Sequence, residues 1–183
     1  MQSKSQPTNN SMAIVRVTSY TKSKAAIKAT IRYNQHRAGK DGQRISRELF
    51  GFDGTMERSD AYRMIDAAEK GTVFFRFVIS PDQQTKDTAK DLHLPSLTEQ
   101  TMLALEEHLG NRVPFAAAIH DDHTDLRHVH LVACVTGRLG IAHFQTMREA
   151  ATDAALLQRQ ERDQAREQQQ QQEGGQWLGQ GIS

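Results

Sequence analysis

The sequence predicts an α+β domain, with a mostly antiparallel central sheet and helices packed largely on one face. Three observations carry that expectation. Apolar runs of strand length stand at residues 12–20, 72–80, 113–119 and 131–135, bounded by polar or turn-forming residues. The last two lie so close in sequence that they pair as antiparallel neighbours. Four segments of helical character separate or follow the runs, giving the order β-α-(turns)-α-β-α-β-β-α.

Each element has a local reason. Residues 1–11 are polar and aperiodic and are expected to be a disordered leader. In MAIVRVTSY, Ile14, Arg16 and Thr18 alternate with Val15 and Val17, the signature of a half-buried strand. SKAAIKATIRYNQHR favours helix from Ser23, a good N-cap, to about Arg37. Lys24, Lys28, Arg32 and His36 recur every four residues as a basic stripe down that helix, with Tyr33 beside them and the small Ala26 and Ala29 below. Residues 38–56 hold four glycines and read as turns with a short hairpin. Arg58 to Lys70 is amphipathic, apolar at Tyr62, Ile65 and Ala68, and stopped by Gly71. TVFFRFVIS (72–80) is a strong strand ended by Pro81, with Arg76 on one face beside Phe74 and Val78. Arg76, if buried there, needs a partner, and a phosphate oxygen would serve. After a polar loop, Ser96 to Glu99 matches a capping box for a helix that Gly110 closes. A final helix, with Met147, Ala150, Ala151, Ala154 and Leu157 as its apolar stripe, runs from about Phe144 to Glu167. The organisation expected is therefore a leader (1–11), one domain (12–165) and a flexible Gln/Gly-rich tail (166–183).

Composition narrows the class. The chain has 183 residues and a net charge of +1, which suits one domain with its own core. Residues 12–60 carry ten basic and five acidic side chains, so this end is basic and suits an anion-binding face. The single cysteine, Cys134, sits in an apolar run and reads as a small core residue in a reducing compartment. No run approaches the ~20 apolar residues of a membrane span and no signal-peptide core opens the chain, so no membrane insertion and a cytoplasmic location are expected.

Chemistry concentrates in VPFAAAIHDDHTDLRHVHLVACV, residues 113–135. His128 and His130 lie two apart on a strand and point the same way. If the flanking runs pair, His120 at the end of one meets them at the start of the next. Three imidazoles on one point make a metal site with open coordination positions, which catalysis requires. Asp122 suits the outer role of accepting a ring N–H and fixing the tautomer. His123 is the rival third ligand, ranked lower for its mid-loop place. Zinc-hydrolase patterns are missing: Leu131 and Val132 follow His130, and no HExxH occurs. The Lewis-acid role then needs a nucleophile from elsewhere, which Tyr33 on the basic helix supplies.

FAAAIHDDHTDLRHVHLVACV resembles the third motif of conjugative relaxases in the HUH endonuclease superfamily, and the preceding features follow in similar order: an N-terminal strand, the tyrosine of IRYNQHR, FRFVISPDQ, then LTEQTMLALEEHLG. The likeness covers roughly residues 12–160 and is closest to the mobilisation relaxases that use a single tyrosine. It implies a ferredoxin-like antiparallel sheet, with His120, His128 and His130 holding Mg²⁺ or Mn²⁺ and Asp122 as the motif acid. Tyr33 becomes the nucleophile, with Tyr20 the alternative. The implied activity is site- and strand-specific nicking of single-stranded DNA at a plasmid transfer origin, through a 5′-phosphotyrosyl intermediate. Lys24, Lys28 and Arg32, with Arg16 and Arg76, would hold that strand. Relaxosome accessory proteins and a type IV coupling protein are the implied partners. Two departures stand out: Arg127 replaces a proline common before the second histidine, and seven residues separate His120 from His128 where one fewer is common. A rolling-circle initiator or related transposase shares the chemistry, and a catalytically silent DNA-binding module with a structural metal site is the rival from another class.

Overall fold

The computed structural model describes residues 13–39, 41–81, 87, 90–121 and 126–178, with side chains described as far as residue 172. Its order is β1 (Ala13–Thr21), α1 (Lys24–His36), β2 (Leu49–Gly51), β3 (Gly54–Met56), α2 (Arg58–Ala67), β4 (Val73–Pro81), α3 (Leu94–Leu109), β5 (Phe115–His120), β6 (His128–Val135) and α4 (Ile141–Leu178). The six strands form one sheet in the order β1-β4-β6-β5-β2-β3, every neighbouring pair antiparallel. The expected class holds: an α+β domain with four helices on an antiparallel sheet.

Helix placement differs from expectation. Helices α3 and α4 cover one face of the sheet, over Phe75, Phe77, Ile79, Phe115, Leu131 and Ala133. Helices α1 and α2 cover the other, over Phe74, Ala116, Ala118, Val132 and Cys134. The helices thus divide two and two, where the sequence placed them largely on one side. The cause is visible in β4, β5 and β6, which occupy the middle of the sheet and carry apolar side chains on both faces. Each such side chain gains about 1.5–3 kcal/mol when removed from water, so both faces demand a cover. Ala116, Ala118 and Cys134 are small, which lets α1 seat Ile27 and Ile31 close to the strands.

Helix ends also follow local chemistry. Ser23 caps α1 as expected, accepting from the Ala26 amide. Helix α2 stops at Ala67, three residues short of Lys70. Helix α3 begins at Leu94, so Ser96 lies inside its first turn and the expected capping box does not form. His93 is the cap instead, its Nδ1 accepting from the Ser96 amide, and Pro95 fits the first turn because it has no N–H to leave unpaired. Gly110 closes α3 in the left-handed conformation, φ 66°. Helix α4 continues to Leu178, past residue 165 where a flexible tail was expected; its glutamines are good helix formers and no proline interrupts them. Residues 163–172 are exposed throughout, so that stretch buries no stripe of its own. The expected leader lies outside the described residues. No helix among the described residues is long and apolar enough to cross a membrane.

Candidate metal centre

Strand register assembles the site. In the β5–β6 ladder His120 lies directly opposite His128, and Ala118 opposite His130. Opposed residues in an antiparallel pair share a face, and alternation puts His130 on the same face two residues on. Counting back by twos, His120 follows Ala118 and Ala116, while His130 precedes Val132 and Cys134, so the three imidazoles lie on the face covered by α1 and α2. Their ring centroids are 5.5 Å (His120–His128), 4.5 Å (His120–His130) and 4.9 Å (His128–His130) apart. One nitrogen from each lies within 4.8 Å of the others, a group that can hold a metal ion. His123 and Asp122 lie outside the described residues.

Hydrogen bonds set the tautomers. His120 Nε2 donates to the Asn34 carbonyl oxygen at 3.0 Å, which leaves the ring's lone pair on Nδ1. His128 Nδ1 donates to the Leu126 carbonyl at 3.0 Å, and its Nε2 faces His130 Nε2 at 3.2 Å. At 3.2 Å apart, these two nitrogens are spaced so that both could ligate one divalent ion. The donor set therefore fits a borderline divalent cation with open positions, and backbone carbonyls orient two of its ligands.

Electrostatics keep two of the rings neutral. His120 is 1% exposed, and burial, then the fields of His130, Arg47 and His128, push its pKa from 6.5 down to about 3, against a smaller raising effect of the Asn34 carbonyl. Burial, then His128, Arg37, Arg47 and Arg76, push His130 down to about 4. Neutral imidazoles are the ligand form, so these two need lose no proton to bind metal at neutral pH. Burial pushes Cys134 up to about 12, so it stays a thiol in the core, as expected.

The remaining sequence candidates scatter. Tyr33 is 59% exposed on α1, one residue before Asn34. It lines a cavity of about 970 Å³ with Ala29, Arg32, His36, Arg37, Ala38 and Arg44, a lining that does not include the histidines. The Arg37 guanidinium lies 5.9 Å from the Tyr33 ring centre. Tyr20 pairs with Phe75, its ring 5.7 Å away, on the α3–α4 face and so across the sheet from the histidines. Arg16 is exposed on β1 in a cross-strand row with Val78 and His130. Arg76 is half-buried, its Nε donating to Ser19 Oγ and its Nη1 to Thr30 Oγ1 at 3.5 Å, so hydroxyls supply the partners for which the sequence suggested a phosphate. Lys24 donates to the Asp66 and Ala68 carbonyls at 2.7 and 2.9 Å, and Lys28 pairs with the Asp66 carboxylate at 2.6 Å. Those two lysines join α1 to α2, leaving Arg32 as the member of the expected DNA-binding stripe that opens into the cavity.

Two contributors escaped the sequence. Asn34 supplies the carbonyl that orients His120; its one signal is spacing, since Ile27, Ile31 and Asn34 fall on the buried stripe of α1. Arg47 donates through Nη1 to the carbonyls of Asn34 (3.3 Å) and Arg37 (2.8 Å), and nothing in its glycine-rich surroundings marks it. Arg127, standing where a proline was expected, anchors the approach to His128 by donating to the Asp87 carboxylate at 2.9 Å and to the Leu92 carbonyl at 2.6 Å.

Compared with protein-family models, with curated proteins and with solved structures, the chain matches none.

Proposed function

We propose that this protein is a metal-dependent DNA-nicking transesterase of the relaxase kind, with Tyr33 as nucleophile and His120, His128 and His130 as the metal ligands. One observation carries the proposal: three imidazoles, His120 and His130 among them held neutral, converge under the helix that bears Tyr33, amid the positive fields of Arg37, Arg47 and Arg76. Arginines around a cation site are costly by themselves, and an anionic phosphodiester is the substrate that offsets both charges. A bound Mn²⁺ or Mg²⁺ would polarise a non-bridging oxygen of the scissile phosphate; imidazole donors favour Mn²⁺ of the two, because Mg²⁺ prefers oxygen ligands.

The protein's own residues supply the rest. The Tyr33 oxygen forms a bond to phosphorus as the P–O3′ bond breaks, and the phenolic proton ends on the released 3′ hydroxyl, leaving a 5′-phosphotyrosyl link. Arg32, Arg37 and Arg44, which line the cavity around Tyr33, would hold the backbone of a single strand against it. Of the two tyrosines considered, Tyr33 is favoured because Tyr20 points to the opposite face of the sheet. Transfer-origin DNA, relaxosome proteins and a coupling protein follow from the family likeness as further proposals.

The test is a denaturing gel of the protein with labelled single-stranded oligonucleotides from its own mobile element, in Mn²⁺ or EDTA. Wild type and Tyr20→Phe are expected to form a metal-dependent covalent adduct, and Tyr33→Phe none. Cleavage without an adduct would indicate a hydrolase. Binding without cleavage would indicate the silent DNA-binding module.

A further inference from the structure

Helix α1 ends without a glycine: its C-cap, Arg37, has φ −55° and ψ 130°, so no left-handed turn folds back to satisfy the last carbonyls. One distant residue takes three of them. The Arg47 amide donates to the Gln35 carbonyl at 2.9 Å, and its guanidinium donates to those of Arg37 at 2.8 Å and Asn34 at 3.3 Å. The Asn34 oxygen also accepts from His120 Nε2. Arg47 is 8% exposed although it lies in a connecting segment, so its ordering has cost an entropy that these bonds offset.

We infer that Arg47 is a positioning residue for the metal centre: by gripping the last turn of α1 it holds the Asn34 carbonyl against His120, and so fixes both the tautomer of that ligand and the place of Tyr33. This rests on the metal-centre proposal above. The geometry explains why arginine stands there. Both bonds come from Nη1, whose two N–H groups diverge in the fixed guanidinium plane, one to each carbonyl; a lysine nitrogen stands on a shorter stem and its N–H groups are held in no such plane. With the grip removed, the Asn34 carbonyl is free to tilt toward water. His120 then loses the acceptor that keeps its proton on Nε2, and its two neutral tautomers mix. Tyr33, adjacent to Asn34, moves with the same turn.

Arg47→Lys is the informative variant, because it keeps the positive charge and removes the longer-reaching planar donor. Its ring ¹⁵N–¹H correlations are expected to show His120 as a mixture of tautomers, where wild type shows Nε2–H alone. Mn²⁺ titration is expected to weaken about tenfold, the ordinary effect of losing an outer partner of a ligand. Leu105→Val, a core trim on α3 across the sheet, controls for lost stability: it should lower the thermal midpoint and leave both readouts unchanged. A pure Nε2–H signal for His120 in folded Arg47→Lys would overturn the inference. So would wild-type Mn²⁺ affinity in Arg47→Lys with tighter binding in Arg47→Met, since that pattern assigns Arg47 a purely electrostatic role. A wild type that binds no Mn²⁺ would defeat the metal-centre proposal instead, and the tautomer measurement would still decide the role of Arg47.

Discussion

Acidification should destabilise this protein far more than its surface charges suggest, because two histidines, His120 buried and His130 half-buried, are held neutral. His120 and His130 have folded pKa values of about 3 and about 4 against 6.5 in the unfolded chain. At pH 5 an ordinary histidine is about 97% protonated, and the folded state must forgo that proton at both positions. Between the folded values and 6.5 the unfolded chain therefore binds more protons, and stability rises with pH there. The contribution is fully present above pH 6.5 and is lost progressively as pH falls toward 4 and then 3. At pH 5 the loss is about 2 kcal/mol for each ring, so roughly 4 kcal/mol for the pair relative to pH 8, a large part of an ordinary domain's stability. Urea unfolding of EDTA-treated protein at the two pH values measures it directly, and His120→Gln should remove about half of the dependence. Ring-proton NMR gives the independent check, since neither His120 nor His130 should titrate between pH 8 and pH 5. A stability difference under about 1 kcal/mol, or ring titration near 6.5, would refute the burial-and-arginine account of these rings.

Three further outcomes follow from the placement of charges and candidate ligands. Arg32→Ala should weaken single-stranded DNA binding and lower its salt slope by about 0.7, as expected for one lost phosphate contact. Lys28→Ala should leave that slope unchanged and cost under about 1 kcal/mol of stability, because Lys28 is spent on the half-exposed pair with Asp66; a fall in slope for Lys28→Ala would return the lysine to the DNA path. His128→Ala should abolish Mn²⁺ binding and metal-dependent nicking while retaining most DNA affinity, measured by calorimetry and fluorescence anisotropy; loss of DNA affinity in parallel with the metal would mark the centre as structural.

Much of the architecture was legible because local pattern and tertiary role coincide. Alternation in β1, the Ser23 cap of α1 and the Gly110 stop of α3 are each fixed by one or two residues, and each forms as expected. Partition of the helices was misread because continuous apolar runs in β4, β5 and β6 say that both faces need cover, yet periodicity does not say which helix supplies it. The end of α1 was opaque for a related reason. Its carbonyls are closed by Arg47, ten residues beyond the C-cap, and a bond between a side chain and a remote backbone leaves no spacing to read. The candidate metal ligands stood at the other extreme. His120, His128 and His130 occupy strand ends joined by a short connection, so pairing alone brings them together.

The same contrast separates the two halves of the proposed chemistry. Metal ligation depends on strand register, which is rigid: a one-residue slip would turn His128 and His130 to the α3–α4 face and leave His120 alone. Placement of the proposed nucleophile depends on α1, which touches the sheet through Ile27, Ile31 and the Asn34 carbonyl and whose last turn is held by Arg47. Seating that helix against the strands requires small residues beneath it, and Ala116 and Ala118 on β5 are the residues that lead to His120. The alanines of FAAAIH therefore do structural work for the centre: larger side chains there would lift α1 and carry both the Asn34 carbonyl and Tyr33 away from the ligands. In the proposed transesterase the nucleophile must stand close to the phosphate held at the histidines, and on that proposal the apolar run and the histidine that ends it act as one unit, read in sequence as a strand and in space as the floor of the site.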